Sequence, residues 1–74
     1  MNPTDFCELL AKTLETPDDL RPETPLLDIV EFDSMGQVSV RAMADERFHR
    51  ILSDVDLKKC VTVSDLQQLL EEKA

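Results

Sequence analysis

Ser34 is the residue of this chain with the clearest chemical potential, and it lies within Phe32-Asp33-Ser34-Met35-Gly36-Gln37-Val38. At this point an irregular acidic segment gives way to a helical apolar pattern. A small hydroxyl side chain is favoured at a helix N-cap, so we expect Ser34 to be the N-cap of the following helix. The free N–H groups of the next turn could then hold an anion. The pattern therefore predicts a hydroxyl at a helix start, beside a place that suits negative charge.

The residues that would activate this hydroxyl are not found in the sequence. The chain has one histidine, His49, and no Ser-His-Asp or Cys-His arrangement for nucleophilic catalysis. There is no glycine-rich phosphate loop and no cluster of metal-ligand residues. We therefore expect no catalytic residue and no metal site in this chain.

The spacing of apolar residues predicts an all-α fold with four helices. They should span residues 4–14, 34–47, one or two turns within 52–59, and a last helix from 62 to about 72. Thr62 followed by Asp65 is a variant of the capping-box pattern. Three prolines in residues 15–25 predict a long loop between the first two helices. The sequence thus indicates a small four-helix bundle in one domain, residues 1–74.

Two packing expectations follow from the same spacing. The apolar face of the second helix should consist of Met35, Val38, Ala42 and Met43, closed by Phe48. The long loop and the segment after it should be pinned over the core by Leu20, Leu26, Leu27, Ile29 and Val30. Gly36, the only glycine, lies in the first turn of the second helix. It either leaves room for a phosphate-bearing arm or a partner's backbone, or is a tolerated end-of-helix glycine.

The formal charge of −8 is unevenly distributed. Residues 1–33 carry nine acids and two bases, whereas residues 34–74 carry seven acids and six bases. Such acidity disfavours nucleic acid and anionic membranes, so we expect no nucleic-acid partner and no membrane insertion. No apolar run is long enough to span a bilayer and no signal-peptide pattern is seen, which predicts a cytoplasmic protein. Cys7 and Cys60 are expected to be reduced, mostly buried thiols, although a disulfide stays open.

Asp33-Ser34-Met35 resembles the Asp-Ser-Leu/Met signature of acyl carrier proteins. The predicted order of helices matches that family over nearly the whole chain. Phe48 stands near the family's aromatic residue at the end of its second helix, and Thr62-Val63 resembles the Thr-Val that opens its last helix. The resemblance implies a carrier and not an enzyme, with the acyl-carrier type of fold, in which another protein catalyses the reaction at Ser34.

This resemblance also implies a cofactor and a mechanism. A phosphopantetheinyl transferase would attach 4'-phosphopantetheine from coenzyme A to the Ser34 hydroxyl and release 3',5'-ADP. Asp33 matches the acid that helps to present the loop and engages the transferase and its metal. Met35 matches a residue that is both part of the core and part of the surface that partners touch. Further partners would be acyl-loading and acyl-transfer or condensing enzymes.

The chain departs from the usual fatty-acid-synthesis carriers at the charged positions. Glu31 occupies a place where they have glycine, and Gly36 and Ser39 occupy places that are usually acidic. Residues 34–50 carry two acids and three arginines, a balance of +1. Because charge on this surface mainly governs on-rate and partner choice, we predict a specialised carrier with dedicated partners. The residues expected to recognise them are Asp33, Met35, Gly36, Val38, Arg41, Asp45 and Glu46.

Three functions stay open at this stage. The first is an acyl carrier for a specialised fatty-acid, polyketide or lipid pathway. The second is an aminoacyl carrier, because Asp33-Ser34-Met35-Gly36 followed by Val38 also resembles D-alanyl carrier proteins. The third is an unmodified helical interaction module in which Ser34 is only an N-cap. A monomer is the simplest expectation in each case.

Overall fold

The computed structural model describes residues 1–17 and 19–71, and these residues form four α-helices joined by loops. The helices are α1 (Pro3–Leu14), α2 (Ser34–Phe48), α3 (Asp54–Lys59) and α4 (Val63–Glu71), with a 3-10 turn at Leu26–Asp28. The predicted all-α class and the predicted helix order are therefore confirmed. The predicted end of the last helix at Glu72 lies outside the described residues.

The helix boundaries follow from local hydrogen bonding. Asn2 caps α1, because its side chain accepts a hydrogen bond from the Thr4 N–H at 2.8 Å, and Pro3 occupies the first helical position. Ser53 and Asp56 form a complete capping box at the start of α3. At the start of α4 the Asp65 N–H donates to Thr62 Oγ1, and the Thr62 N–H donates to Asp65 Oδ2. The predicted variant capping box is thus confirmed.

The core is mostly aliphatic, and the half-buried Phe48 packs against the buried Phe6 at its edge. The largest fully buried side chains are Phe6, Leu10, Leu26, Val40, Val63 and Leu66. Phe48 lies edge-to-face against Phe6, with ring centroids 6.2 Å apart. Both cysteines are unpaired, and burial raises the pKa of the Cys7 and Cys60 thiols.

The long loop is pinned to the start of α4 mainly through its backbone. The Leu26 N–H donates to the Val61 carbonyl, the Val63 N–H to the Thr24 carbonyl, and the Ser64 N–H to the Pro22 carbonyl, at 2.8–3.0 Å. Leu26 and Ile29 are buried as predicted. The prediction was wrong for Leu27 and Val30, which are 94% and 81% exposed. The loop is pinned, but fewer side chains than expected take part.

The core-facing side of α2 also differs from the prediction. Its buried residues are Gly36, Val40, Met43 and Ala44. Met35, Val38 and Ala42 are exposed, so their assignment to the core was wrong. Apolar residues occur on several sides of this helix, and their spacing alone did not identify the buried side. α2 therefore packs through small and medium side chains and turns other apolar residues outward.

Candidate functional site

Asp33, and not Ser34, caps the start of α2. Asp33 has extended backbone angles, and its carboxylate accepts a hydrogen bond from the Gly36 N–H at 2.9 Å. Asp33 also accepts the first backbone bond of the helix, from the Gln37 N–H to its carbonyl at 2.8 Å. The expectation that Ser34 is the N-cap was wrong, because the adjacent acid takes that role. Ser34 is instead the first residue of the helix.

The Ser34 side chain is therefore free of a structural task. It is exposed, and no residue in the described part of the chain hydrogen-bonds to its hydroxyl. The backbone N–H groups of Ser34 and Met35 are likewise without a hydrogen-bond partner among the described residues. These two N–H groups lie at the N-terminus of α2, which is the positive end of the helix dipole, and a phosphate group is stabilised there. The site thus offers an accessible hydroxyl and donors for an anion, which fits a phosphodiester on Ser34.

The one histidine of the sequence lies far from this hydroxyl. His49 is the C-cap residue directly after α2, so the helix rise places it about 20 Å from Ser34. Within residues 1–17 and 19–71 no group of three or more His, Cys, Asp or Glu residues could hold a metal ion. What the arrangement can do chemically is accept a group that another protein transfers.

Gly36 allows α2 to dock closely on the rest of the molecule. It is buried, and a Cβ at this position would clash with the Glu31 carbonyl oxygen and lie 2.9 Å from Leu14 Cδ2. Its φ is not positive, so the requirement is for space and not for an unusual backbone conformation. Of the two explanations that the sequence left open, room for an arm or a partner's backbone is wrong, since the chain itself fills that space. Gly36 can act on partner recognition only by positioning its neighbours.

Glu31 lies beside the same contact. It borders a groove of about 320 Å³ together with Leu14, Asp33, Met35 and Ser39. Its Oε1 atom is buried and has no hydrogen-bond partner in the part of the chain that the structure describes. A buried oxygen without a partner costs stability. Glu31 is therefore accommodated at a cost.

The other predicted recognition residues are mostly on the surface of α2. Met35 is 79% exposed and Val38 is 56% exposed, and Asp45 and Glu46 are exposed further along the helix. Arg41 is different, because its guanidinium forms an ion pair with Asp54 of α3 at 2.6 Å. Met35 thus lies on the surface, which corrects the prediction that it also belongs to the core.

The exposure of two residues and the presence of one cavity were not predicted from the sequence. Leu27 and Val30 precede Ser34 and are exposed. The exposure of Leu27 could have been predicted, because only one of the adjacent Leu26 and Leu27 can face inward from a short turn. A cavity of about 340 Å³ lies between the loop, α2 and α3. It is lined by Pro25, Leu26, Leu27, Phe32, Gln37, Leu57, Lys58, Cys60 and Val61. No sequence signal marks it, because it depends on how the three elements meet.

A small helical bundle with an accessible serine at the start of its second long helix has the features of a carrier domain. The chain belongs to the phosphopantetheine attachment site family, whose model matches residues 4–70. Comparisons with curated proteins and with solved structures gave no significant match.

Membership of this family defines the general function. The protein is a phosphopantetheine carrier and not an enzyme, and its cofactor is covalently attached 4'-phosphopantetheine. Its partners are a phosphopantetheinyl transferase and the enzymes of a pathway. None of the described helices has both the length and the apolar character needed to cross a bilayer.

Proposed function

We propose that the protein is an acyl carrier and that Ser34 is its attachment residue. The observation that carries the proposal is the exposed Ser34 hydroxyl at the first position of α2, which has no hydrogen bond within the described chain. In the transfer, Ser34 Oγ forms a bond to the phosphorus next to the pantetheine of coenzyme A. The bond from that phosphorus to 3',5'-ADP breaks, and the serine proton passes to a base of the transferase.

Each neighbour of Ser34 has a part in this step. The Asp33 carboxylate holds the first turn by accepting from the Gly36 N–H, and Asp33 remains exposed for contact with the transferase and its metal. The free N–H groups at the helix start stabilise the phosphodiester charge. When bound, the phosphopantetheine supplies a thiol that holds cargo as a thioester. The chain's own residues thus orient the serine and favour its modified form.

The cavity of about 340 Å³ between the loop, α2 and α3 is called the α2–α3 cavity below, and it supports an acyl cargo over an aminoacyl cargo. Its lining is mostly apolar, and a hydrocarbon chain gains free energy on entering such a space. Lys58 provides the only formal charge in the lining. A D-alanyl group carries an ammonium, which would lose hydration there and meet a like charge. We therefore place a fatty-acid, polyketide or lipid pathway before an aminoacyl one.

Exposed residues of α2 support the proposal of dedicated partners. The contact residues proposed are Asp33, Met35, Val38, Arg41, Asp45 and Glu46, with Gly36 acting through its packing. Between Ser34 and Asp45 this helix carries no acid, so a strongly basic patch on a partner would find little complementary charge. Apolar contact with Met35 and Val38 would contribute more. That the chain is one domain, a monomer and cytoplasmic remains a prediction.

The attachment residue is tested by intact mass measurement after incubation with coenzyme A and a broad-specificity transferase. We expect a mass gain of one phosphopantetheine in the natural chain and none in Ser34→Ala. Ser39→Ala, which removes another exposed hydroxyl of the same helix, should be modified normally. Modification of Ser34→Ala, or no modification of the natural chain beside an active control carrier, would exclude the assignment.

The type of cargo is tested by loading octanoyl and D-alanyl phosphopantetheine and measuring thermal unfolding. The octanoyl form should melt above the unacylated form, whereas the D-alanyl form should not. Val61→Lys adds a charge at an exposed residue of the cavity lining and should remove the octanoyl effect. The matched control is Val55→Lys, at a similarly exposed valine outside the lining. Equal stabilisation by both cargoes would favour the aminoacyl alternative.

The partner proposal is tested with a generic fatty-acid synthesis enzyme set. We expect loading and turnover to be less efficient than with a housekeeping carrier. Ser39→Glu should increase turnover, because it restores an acid on α2, and Gln68→Glu on α4 is the control for added charge elsewhere. Turnover of the natural chain at the housekeeping level would refute the idea of dedicated partners.

A further inference from the structure

The α2–α3 cavity has two walls that are joined by one ion pair. Gln37 of α2 lines the cavity, and Arg41 lies four residues later on the same side of that helix. Leu57 and Lys58 of α3 line the opposite wall, and Asp54 precedes them by three and four residues. The 2.6 Å contact from Arg41 Nη1 to Asp54 Oδ1 therefore connects α2 and α3 about one helical turn away from the cavity, on the sides of the two helices that line it.

α3 has few other attachments to the molecule. It has six residues, and Leu57 is its one buried residue. Its capping box consists of hydrogen bonds between Ser53 and Asp56, which stabilise the helix itself. The remaining residues of α3 are exposed or half-buried. An element with so little buried surface opens at low cost, so a single additional contact can affect its position.

We propose that the Arg41–Asp54 ion pair determines the length of acyl chain that the carrier shelters, by holding α3 close to α2. This inference rests on the proposed acyl-carrier function and adds a specificity-determining pair to it. A cavity of about 340 Å³ takes roughly ten groups the size of a water molecule or a methylene, at about 30 Å³ each. On this estimate we expect octanoyl to fit the space, and dodecanoyl and hexadecanoyl to require an outward movement of α3.

The strength of the effect follows from the exposure of the pair. Both side chains are partly exposed, so the pair is screened and biases the opening of α3 by about two- to fivefold at low salt. A bias of this size in the opening of α3 is enough to change which acyl chain lengths are sheltered, and it is too small to unfold the protein. Breaking the pair should extend the accepted length and leave shorter cargo unaffected.

The experiment uses full-length carrier loaded through the transferase with octanoyl, dodecanoyl or hexadecanoyl phosphopantetheine. Shelter is measured as the rate of thioester cleavage by hydroxylamine, and movement of α3 as amide hydrogen exchange. In Asp54→Asn, cleavage of the dodecanoyl thioester should slow about two- to fivefold, and α3 should exchange faster by a similar factor. Cleavage of the octanoyl thioester should not change.

Further variants separate the ion pair from general effects. Asp5→Asn also removes a first-turn acid, and Arg47→Gln removes an α2 arginine that has no ion pair with any described residue. Asp5→Asn and Arg47→Gln should both behave as the natural chain. The double variant with Arg41→Asp and Asp54→Arg exchanges the two charges and should have the same length limit as the natural chain. If Asp54→Asn and the natural chain shelter the same lengths, the inference is wrong. Failure of loading would instead overturn the attachment proposal.

Discussion

α2 and α4 are both packed against α1, but they distribute their apolar residues in opposite ways. In α4 the apolar stripe faces the core, with Val63, Leu66 and Leu70 almost fully buried. In α2 the buried residues are Gly36, Val40, Met43 and Ala44, while the apolar residues Met35, Val38 and Ala42 are exposed. One helix uses its apolar side chains for stability, and the other leaves part of them available for contact.

This difference explains why the candidate site is on α2. A helix that docks through small residues lies close to its neighbours, and its larger side chains are then free to face outward. In α2 the close approach occurs at Gly36, two residues after Ser34. The serine and the exposed Met35 are thus carried on a firmly seated first turn. The variants below test this contrast.

The largest difference in stability should appear when a long side chain is shortened in each helix. Leu66→Ala removes a fully buried side chain of α4 and should lower the free energy of unfolding by about 3 kcal/mol. Met35→Ala removes an exposed side chain of α2 and should change it by less than about 0.5 kcal/mol. Urea unfolding monitored by circular dichroism measures both. Similar losses in the two variants would contradict the contrast between the helices.

Gly36→Ala should be the most damaging small change in α2. The added methyl group meets the Glu31 carbonyl and Leu14, so we expect a loss of about 2 kcal/mol even though alanine favours a helix. Ser39→Ala adds no atom at an exposed position of the same helix and serves as the control. Urea unfolding gives the comparison. If Gly36→Ala is as stable as the natural chain, α2 does not dock as closely as described.

Asp33→Ala and Ser34→Ala should separate stability from modification. Asp33→Ala removes the cap and should cost about 1 kcal/mol. Ser34→Ala removes an exposed hydroxyl without a described partner, and it should leave the unfolding free energy within about 0.5 kcal/mol. Ser34→Ala should nevertheless lose all phosphopantetheine loading. A loss of stability in Ser34→Ala equal to that in Asp33→Ala would show that the serine is the cap.

The smallest expected effect concerns acid sensitivity at the start of α4. Hydrogen bonds from the Thr62 and Val61 N–H groups lower the pKa of Asp65 in the folded chain. Its contribution to stability is therefore present above the unfolded pKa of about 4 and is lost as the pH falls through the lower folded value. Asp65→Asn should reduce the difference in stability between pH 7 and pH 3, as measured by urea unfolding. An unchanged difference would contradict this role.

Local patterns predicted the helices well. The capping pair Thr62 and Asp65 and the proline-rich loop lie where expected, because each depends on neighbours in the sequence. The start of α2 near Ser34 was also predicted correctly, although Ser34 is the first helical residue and not the N-cap. The helical class follows from the same local signals. In α4 a single apolar stripe exists, and it forms the buried side of the helix.

The errors occurred where two neighbouring residues suit the same role. Asp33 and Ser34 are both good N-caps, and the sequence alone does not decide between them. Leu26 and Leu27 are equally apolar, but only Leu26 faces the core. The closeness of Gly36 to the Glu31 carbonyl depends on tertiary packing. The cavity, likewise, exists only once the loop, α2 and α3 have been brought together.

The backbone bonds between the long loop and the start of α4 have an evolutionary consequence. These bonds join Leu26 to Val61 and Thr24 to Val63, and they depend on no side chain. Substitutions at exposed loop positions such as Leu27 should therefore leave the loop in place. A surface that can mutate without loss of the fold is free to adapt to new enzymes, so carriers of this architecture can change partners by small sequence steps.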